Sequence, residues 1–171
     1  MSNHSDNRTV LSVLTYNRPS VLLRMTGLFY RRGYNIETLV VCETDREDLS
    51  RFTVTLSGDP DIIEQIRRQL LKLEDIVKVD VLHIDDCAAS ELLLIKVKAG
   101  NNRHDLLILS QAAGCRVVDI GDDSLTFELS GRSADVQAFI QRVRPYGILE
   151  MGCTGITALQ RGDSTIFDSL I

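Results

Sequence analysis

The chain has no tryptophan, and its aromatic residues are five Phe and four Tyr. A platform that stacks nucleobases needs several exposed rings in series, so single-stranded nucleic acid is a poor fit. Positive charge is in deficit as well: 19 Lys and Arg stand against 24 Asp and Glu, a formal net charge of −5. The pairs Arg31-Arg32 and Arg67-Arg68 fall on solvated helix faces and do not build the dense basic patch that a phosphate backbone requires. No stretch reaches the roughly 18 apolar residues of a membrane span. The N-terminus is polar, with no apolar run behind a basic start, so neither a membrane segment nor a secretory leader is expected and the chain reads as cytoplasmic.

Chemistry-bearing constellations are also missing. Cys42, Cys87, Cys115 and Cys153 form no Cys-x-x-Cys pair, a spacing that suits neither a zinc ribbon nor a redox dithiol. They are expected as buried free thiols in a reducing compartment. His4 lies in the polar tail, His83 at a strand end and His104 at a helix start, none with a second His or Cys at ligand spacing. His83, Asp85, Asp86 and Cys87 read as a solvated connection between domains, and Asp122-Asp123 as a turn. There is no Gly-x-Gly-x-x-Gly, no phosphate loop and no serine with a paired base. Arg161-Gly162-Asp163 matches an adhesion tripeptide, but three residues carry little specificity. No catalytic residue and no metal site is read in this polypeptide.

What remains is a well-patterned globular sequence. With 171 residues, 44% hydrophobic and 25% charged, it has room for one domain or two small ones. The stretch Asn17 to Ile36 organises the reading. Asn17-Arg18-Pro19-Ser20 is a loop, and Pro19 has the preset φ of a first helical residue. Val21, Leu22, Met25, Leu28 and Phe29 then form one helical stripe up to Arg32. Gly33 closes the helix behind Arg31 and Arg32, and a strand follows from Asn35 to Glu43. Helix-start N–H groups beside a polar Asn35 suit a small zwitterion, its carboxylate on the helix end. Spacing alone favours the plainer reading, a strand–helix–strand corner.

Around that stretch, Thr9 to Thr15 reads as a strand, and Phe52, Val54 and Leu56 alternate with polar residues as another. Asp59-Pro60 caps a helix striped by Ile62, Ile63, Ile66, Leu70 and Leu73. Ile76 to Ile84 alternates again. After a polar connection from Asp85 to Ala89 the pattern restarts: strand Leu92–Val97, helix Arg103–Ala113, strands Cys115–Ile120 and Ser124–Leu129, helix Arg132–Arg144 and a strand from Ile148. The expected fold is therefore α+β, two ferredoxin-like βαββαβ units in series, each a four-stranded antiparallel sheet with both helices on one face. Thr53-Val54-Thr55-Leu56-Ser57-Gly58 reappears as Thr126-Phe127-Glu128-Leu129-Ser130-Gly131 in the same slot. The second unit's counterpart of the Asn17 loop, Ala99 to His104, is polar, lacks a proline and is expected to be flexible, so ligand binding is expected in the first unit.

The runs Asn17-Arg18-Pro19-Ser20-Val21-Leu22, Gly27-Leu28-Phe29-Tyr30-Arg31-Arg32-Gly33-Tyr34-Asn35-Ile36 and Leu49-Ser50-Arg51-Phe52-Thr53 resemble the amino-acid-binding ACT domain of the acetolactate (acetohydroxyacid) synthase regulatory small subunit. Glu64-Gln65-Ile66, Glu91 to Val97 and the ending Gly155 to Asp163 extend the resemblance to nearly the whole chain. It implies a polar tail at 1–8, an ACT domain for effector binding and dimerisation at 9–86, a C-terminal small-subunit domain at 87–163 and a tail at 164–171. It implies a non-catalytic partner of a large catalytic subunit that uses thiamine diphosphate, Mg²⁺ and FAD. The small subunit would activate that partner and confer feedback inhibition, commonly by valine. Carried over, the effector site is Asn17, Ser20, Val21 and Leu22 from one chain of a homodimer, with Asn35 and Ile36 from the other. The family usually has glycine where this chain has Ser20; serine crowds the pocket, shifts effector preference or donates its hydroxyl. An alternative is a free-standing ACT-domain sensor of amino acids that docks on another protein.

Overall fold

The computed structural model describes residues 8–168. Its elements run β1 (Arg8–Tyr16), α1 (Val21–Arg32), β2 (Thr38–Glu43), β3 (Leu49–Ser57), α2 (Pro60–Leu70) and β4 (Ile76–His83). They continue with β5 (Cys87–Lys98), α3 (Arg103–Ala112), β6 (Arg116–Ile120), β7 (Ser124–Gly131), α4 (Ser133–Val143), β8 (Ile148–Cys153) and β9 (Thr157–Gln160). The first sheet has the order β2-β3-β1-β4 and the second β6-β7-β5-β8, every pair antiparallel; β9 also pairs with β5. Numbered within each unit, both orders are 2-3-1-4, the expected double ferredoxin-like arrangement. The repeated hexamers occupy β3 and β7, the matching strand of each sheet.

Each unit has its own core. In the first, Val21, Met25 and Phe29 of α1 and Ile63, Ile66 and Leu70 of α2 pack on Leu11, Val13, Phe52 and Val54. In the second, Leu106 of α3 and Val136, Phe139, Ile140 and Val143 of α4 pack on Leu93, Ile95, Val97 and Phe127. Phe127 and Phe139 meet edge to face with centroids 5.8 Å apart, the arrangement the ring quadrupoles favour. Asp59 caps α2 as its pattern requires, its carboxylate accepting from the Asp61 N–H at 3.2 Å with Pro60 at the first helical position.

Several expectations need correction. α1 begins at Val21; Pro19 and Ser20 form a turn, because Ser20 sits in the left-handed region at φ 71° and breaks helical continuity. β2 begins at Thr38, leaving Asn35 and Ile36 in the loop after Gly33, which itself turns left-handed at φ 68° to end the helix. Leu22 lies off the buried stripe and is 46% exposed. The stretch from Ala99 is ordered by local contacts: buried Ala99 leads a short 3₁₀ turn, Gly100–Asn102, into α3, and Arg103 bonds the carbonyls of Gly121 and Asp122. Of the four thiols only Cys87 is buried, while Cys42 and Cys153 are exposed. Cys42 lies on edge strand β2 and Cys153 on edge strand β8. The connection at Asp85 to Ala89 is a 3₁₀ turn followed by the start of β5. His4 lies outside the described residues.

Compact packing divides the chain after Ala89, and residues from Ile156 onward rejoin the first unit. There Ile156 and Ala158 bury against Val10, Leu82 and Cys87. Arg51 Nη2 donates to the Ala158 carbonyl at 3.2 Å, and burial lowers the pKa of that guanidinium. Among the described residues no helix is long and apolar enough to cross a membrane.

Candidate functional site

The β1–α1 loop is held from both sides. The Asn17 N–H donates to the Asp48 carbonyl at 2.7 Å, and its side-chain amide reaches Glu43 Oε1 and the Glu47 carbonyl, each at 3.4 Å. Arg18 lays its guanidinium over the Tyr16 ring at 4.7 Å. Arg24 pairs with Asp75, whose carboxylate is almost buried, and Arg18 stands 3.9 Å from the same group. The Tyr16 N–H bonds the Asp75 carbonyl, so this residue braces the loop with main chain and side chain together. Asp75 and the 43–48 segment are supports that periodicity could not reveal.

The loop delivers an unneutralised helix start. Ser20 makes no side-chain cap, and no acidic residue lies in the first turn of α1. Backbone N–H groups and the positive end of the helix dipole there favour a carboxylate. Val21 is 4% exposed and serves the core with its side chain. Ser20, Asn17 and Leu22 are exposed. Ser20 is the one non-glycine residue with positive φ among the described residues, a conformation that costs an L-residue about 1 kcal/mol. A glycine would hold it without strain.

Asn35 and Ile36 lie at the other end of α1. The Tyr34 N–H bonds the Phe29 carbonyl at 3.0 Å, and the Tyr34 hydroxyl donates to Gln65 at 2.9 Å, which fixes the chain's exit from the helix. Asn35 is exposed, and Ile36 is half-buried against the core. A helix of twelve residues is about 18 Å long, so one chain does not bring the two groups together. They lead into β2, an edge strand of which Val41, Cys42 and Glu43 are exposed.

Residues 11–78 match a family model described as an AHAS small subunit-like ACT domain, and residues 90–162 match one described as the small subunit of acetolactate synthase. The chain is 42% identical over 154 residues to the probable acetolactate synthase small subunit of Archaeoglobus fulgidus, covering 90% of this chain and 96% of the relative. It is 37% identical over 158 residues to the acetolactate synthase isozyme 3 small subunit of Escherichia coli, covering 91% and 97%. The crystal structure of the acetolactate synthase small subunit from Thermotoga maritima superimposes with a TM-score of 0.86 at 30% identity, over 92% of this chain and 99% of that one.

Proposed function

We propose, for a chain that belongs to the acetolactate synthase small-subunit family, that it activates a catalytic large subunit and makes it sensitive to a branched-chain amino acid, valine first. Catalysis, with its thiamine diphosphate, Mg²⁺ and FAD, belongs to the partner. The effector lies across two copies of the ACT domain. One copy offers Asn17, Ser20, Leu22 and the backbone of Val21 to the carboxylate, and the other offers Asn35 and Ile36 to the amine and side chain.

The observation that supports this reading is that Asn17–Leu22 and Asn35–Ile36 lie at opposite ends of α1. A second copy alongside the exposed β2 edge is the simplest way to bring them together. An effector that fits one dimer arrangement better than another shifts the equilibrium between them, and the catalytic partner senses that shift. A coupling of about 1–3 kcal/mol changes effector-linked affinity by roughly 5 to 150 fold.

A thermal melt of the full chain against valine, leucine, isoleucine and glycine tests the effector. Valine at 100 times its dissociation constant should add about 2.7 kcal/mol of stability, and Asn35→Ala should remove that gain. Mixing the chain with its cognate large subunit tests the partnership; unchanged turnover and unchanged stability would refute it.

A further inference from the structure

Within the stretch 164–171, the described residues through Asp168 pack on the first unit. Ile166 is 5% exposed, in a cluster with Leu14 and Leu49 that Val77 and Phe167 complete. The Thr165 N–H and Oγ1 donate to the Asp168 carboxylate at 2.9 and 2.7 Å, and the Phe167 N–H donates to Thr165 Oγ1 at 3.2 Å. The two Thr165 donors hold the Asp168 carboxyl below the usual carboxylate range. Lys78 Nζ donates to the Asp168 carbonyl at 3.0 Å. The strap roofs a cavity of about 310 Å³ on the face of the first sheet turned away from its helices.

The strap also touches the loop that holds Asn17. The Arg46 guanidinium lies 4.6 Å from the Phe167 ring centroid, a cation–π contact. The Arg46 carbonyl accepts from Thr44 Oγ1 at 3.0 Å and from the Leu49 N–H at 2.9 Å, which closes the 44–48 turn. The next two carbonyls of that turn, Glu47 and Asp48, are the ones that bind Asn17. Leu14 and Leu49, gripped by Ile166, flank the same point: Leu49 pairs with Tyr16, immediately before Asn17. The strap lies beyond residue 162, where the matched family segment ends.

We infer that Thr165–Asp168 is a positioning element for the effector loop: Phe167 fixes Arg46, the 44–48 turn thereby fixes Asn17, and the start of α1 is presented to the ligand carboxylate in one conformation. The inference rests on the effector reading of the Asn17–Leu22 loop. Phe167 and Arg46 are positioning residues and touch no ligand themselves.

The test uses the full chain and two readouts. Hydrogen exchange without ligand comes first. Phe167→Ala should speed exchange of the Asn17 and Leu49 amides and leave the Ile63 amide in α2 at its wild-type rate. Valine titration comes second: Phe167→Ala and Arg46→Gln should each weaken binding about fivefold or more, and Arg46→Lys, which keeps the cation over the ring, should restore it. Unchanged exchange at Asn17, or an equal rise at Ile63, would overturn the inference, the first by showing no link and the second by showing only general loosening. If the wild-type chain bound no branched-chain amino acid while Asn17 still responded to Phe167→Ala, the effector reading would fail and the mechanical link would stand.

Discussion

Val10, Ser12 and Leu14 of β1 are each fully buried, although they point away from the helices that form the first core. Register places Leu94, Lys96 and Lys98 of β5 at the corresponding positions of the second sheet. Val10, Ser12 and Leu14 face Thr55, Thr53 and Arg51, and the β5 residues face Glu128, Thr126 and Ser124. Leu94 is 44% exposed, and Lys98 is exposed. Two sheets with one strand order thus have different outer faces. The chain covers the first with its own residues from Ile156 to Phe167. Two lysines in the second carry ammonium groups that are costly to desolvate. A sheet buried on both faces gives its loops a stiffer base, and the first unit is the one that carries the candidate effector loop.

Truncation on the outer faces should show the largest difference. Leu14→Ala should cost about 3 kcal/mol, within the usual range for a buried leucine, and Leu94→Ala less than about 1 kcal/mol; urea denaturation midpoints measure both. An equal cost at Leu94 would break the comparison and mean that something covers the second face in solution. The next difference concerns the strand-to-helix connections. Gly100 has φ 43° with open space around it, so Gly100→Ser should lower stability by about 1 kcal/mol through strain alone. Ser20→Gly should act in the opposite sense and raise stability, but by only about 0.5 kcal/mol, because the flexible unfolded chain offsets part of the relief; urea midpoints read both.

The smallest effect is electrostatic. Glu64 on α2 bonds Arg67 and Arg68 at 2.7 and 2.8 Å, which lowers its pKa from 4.5 to about 2. A carboxyl depressed on folding stabilises above its unfolded pKa, and that contribution is lost as pH falls through the folded value. The gap between wild type and Glu64→Gln in urea midpoint should therefore be open at neutral pH and close as pH drops from about 4.5 toward 2. The repeat places Gln137 at the matching position of α4, so Gln137→Ala should show no such pH dependence.

Local periodicity was enough to place most elements. The stripe of α4, the Ile63-Ile66-Leu70 stripe of α2 and the Asp59-Pro60 start stand where spacing puts them, because each depends on neighbours a few residues away; Ile62 is exposed and Leu73 lies past the end of α2. The start of α1 was misplaced by two residues for a local reason as well: Pro19 is compatible with a first helical position, but the left-handed Ser20 behind it is not. The exposed thiols were missed because edge status belongs to sheet order, which no single strand encodes.

By itself the sequence determined the order of strands and helices, the duplication, the core stripes and the family, all of which reside in spacing and residue type. Only the tertiary structure decided that Asn17 is held by the 43–48 segment, that Asp75 braces the loop and that Asn35 stands at the far end of α1 from Ser20. It alone showed that residues from Ile156 to Phe167 cover the outer face of the first sheet. Each of those facts joins residues far apart in the chain, and long-range closure is governed by packing and charge compensation in three dimensions, which a one-dimensional pattern does not carry.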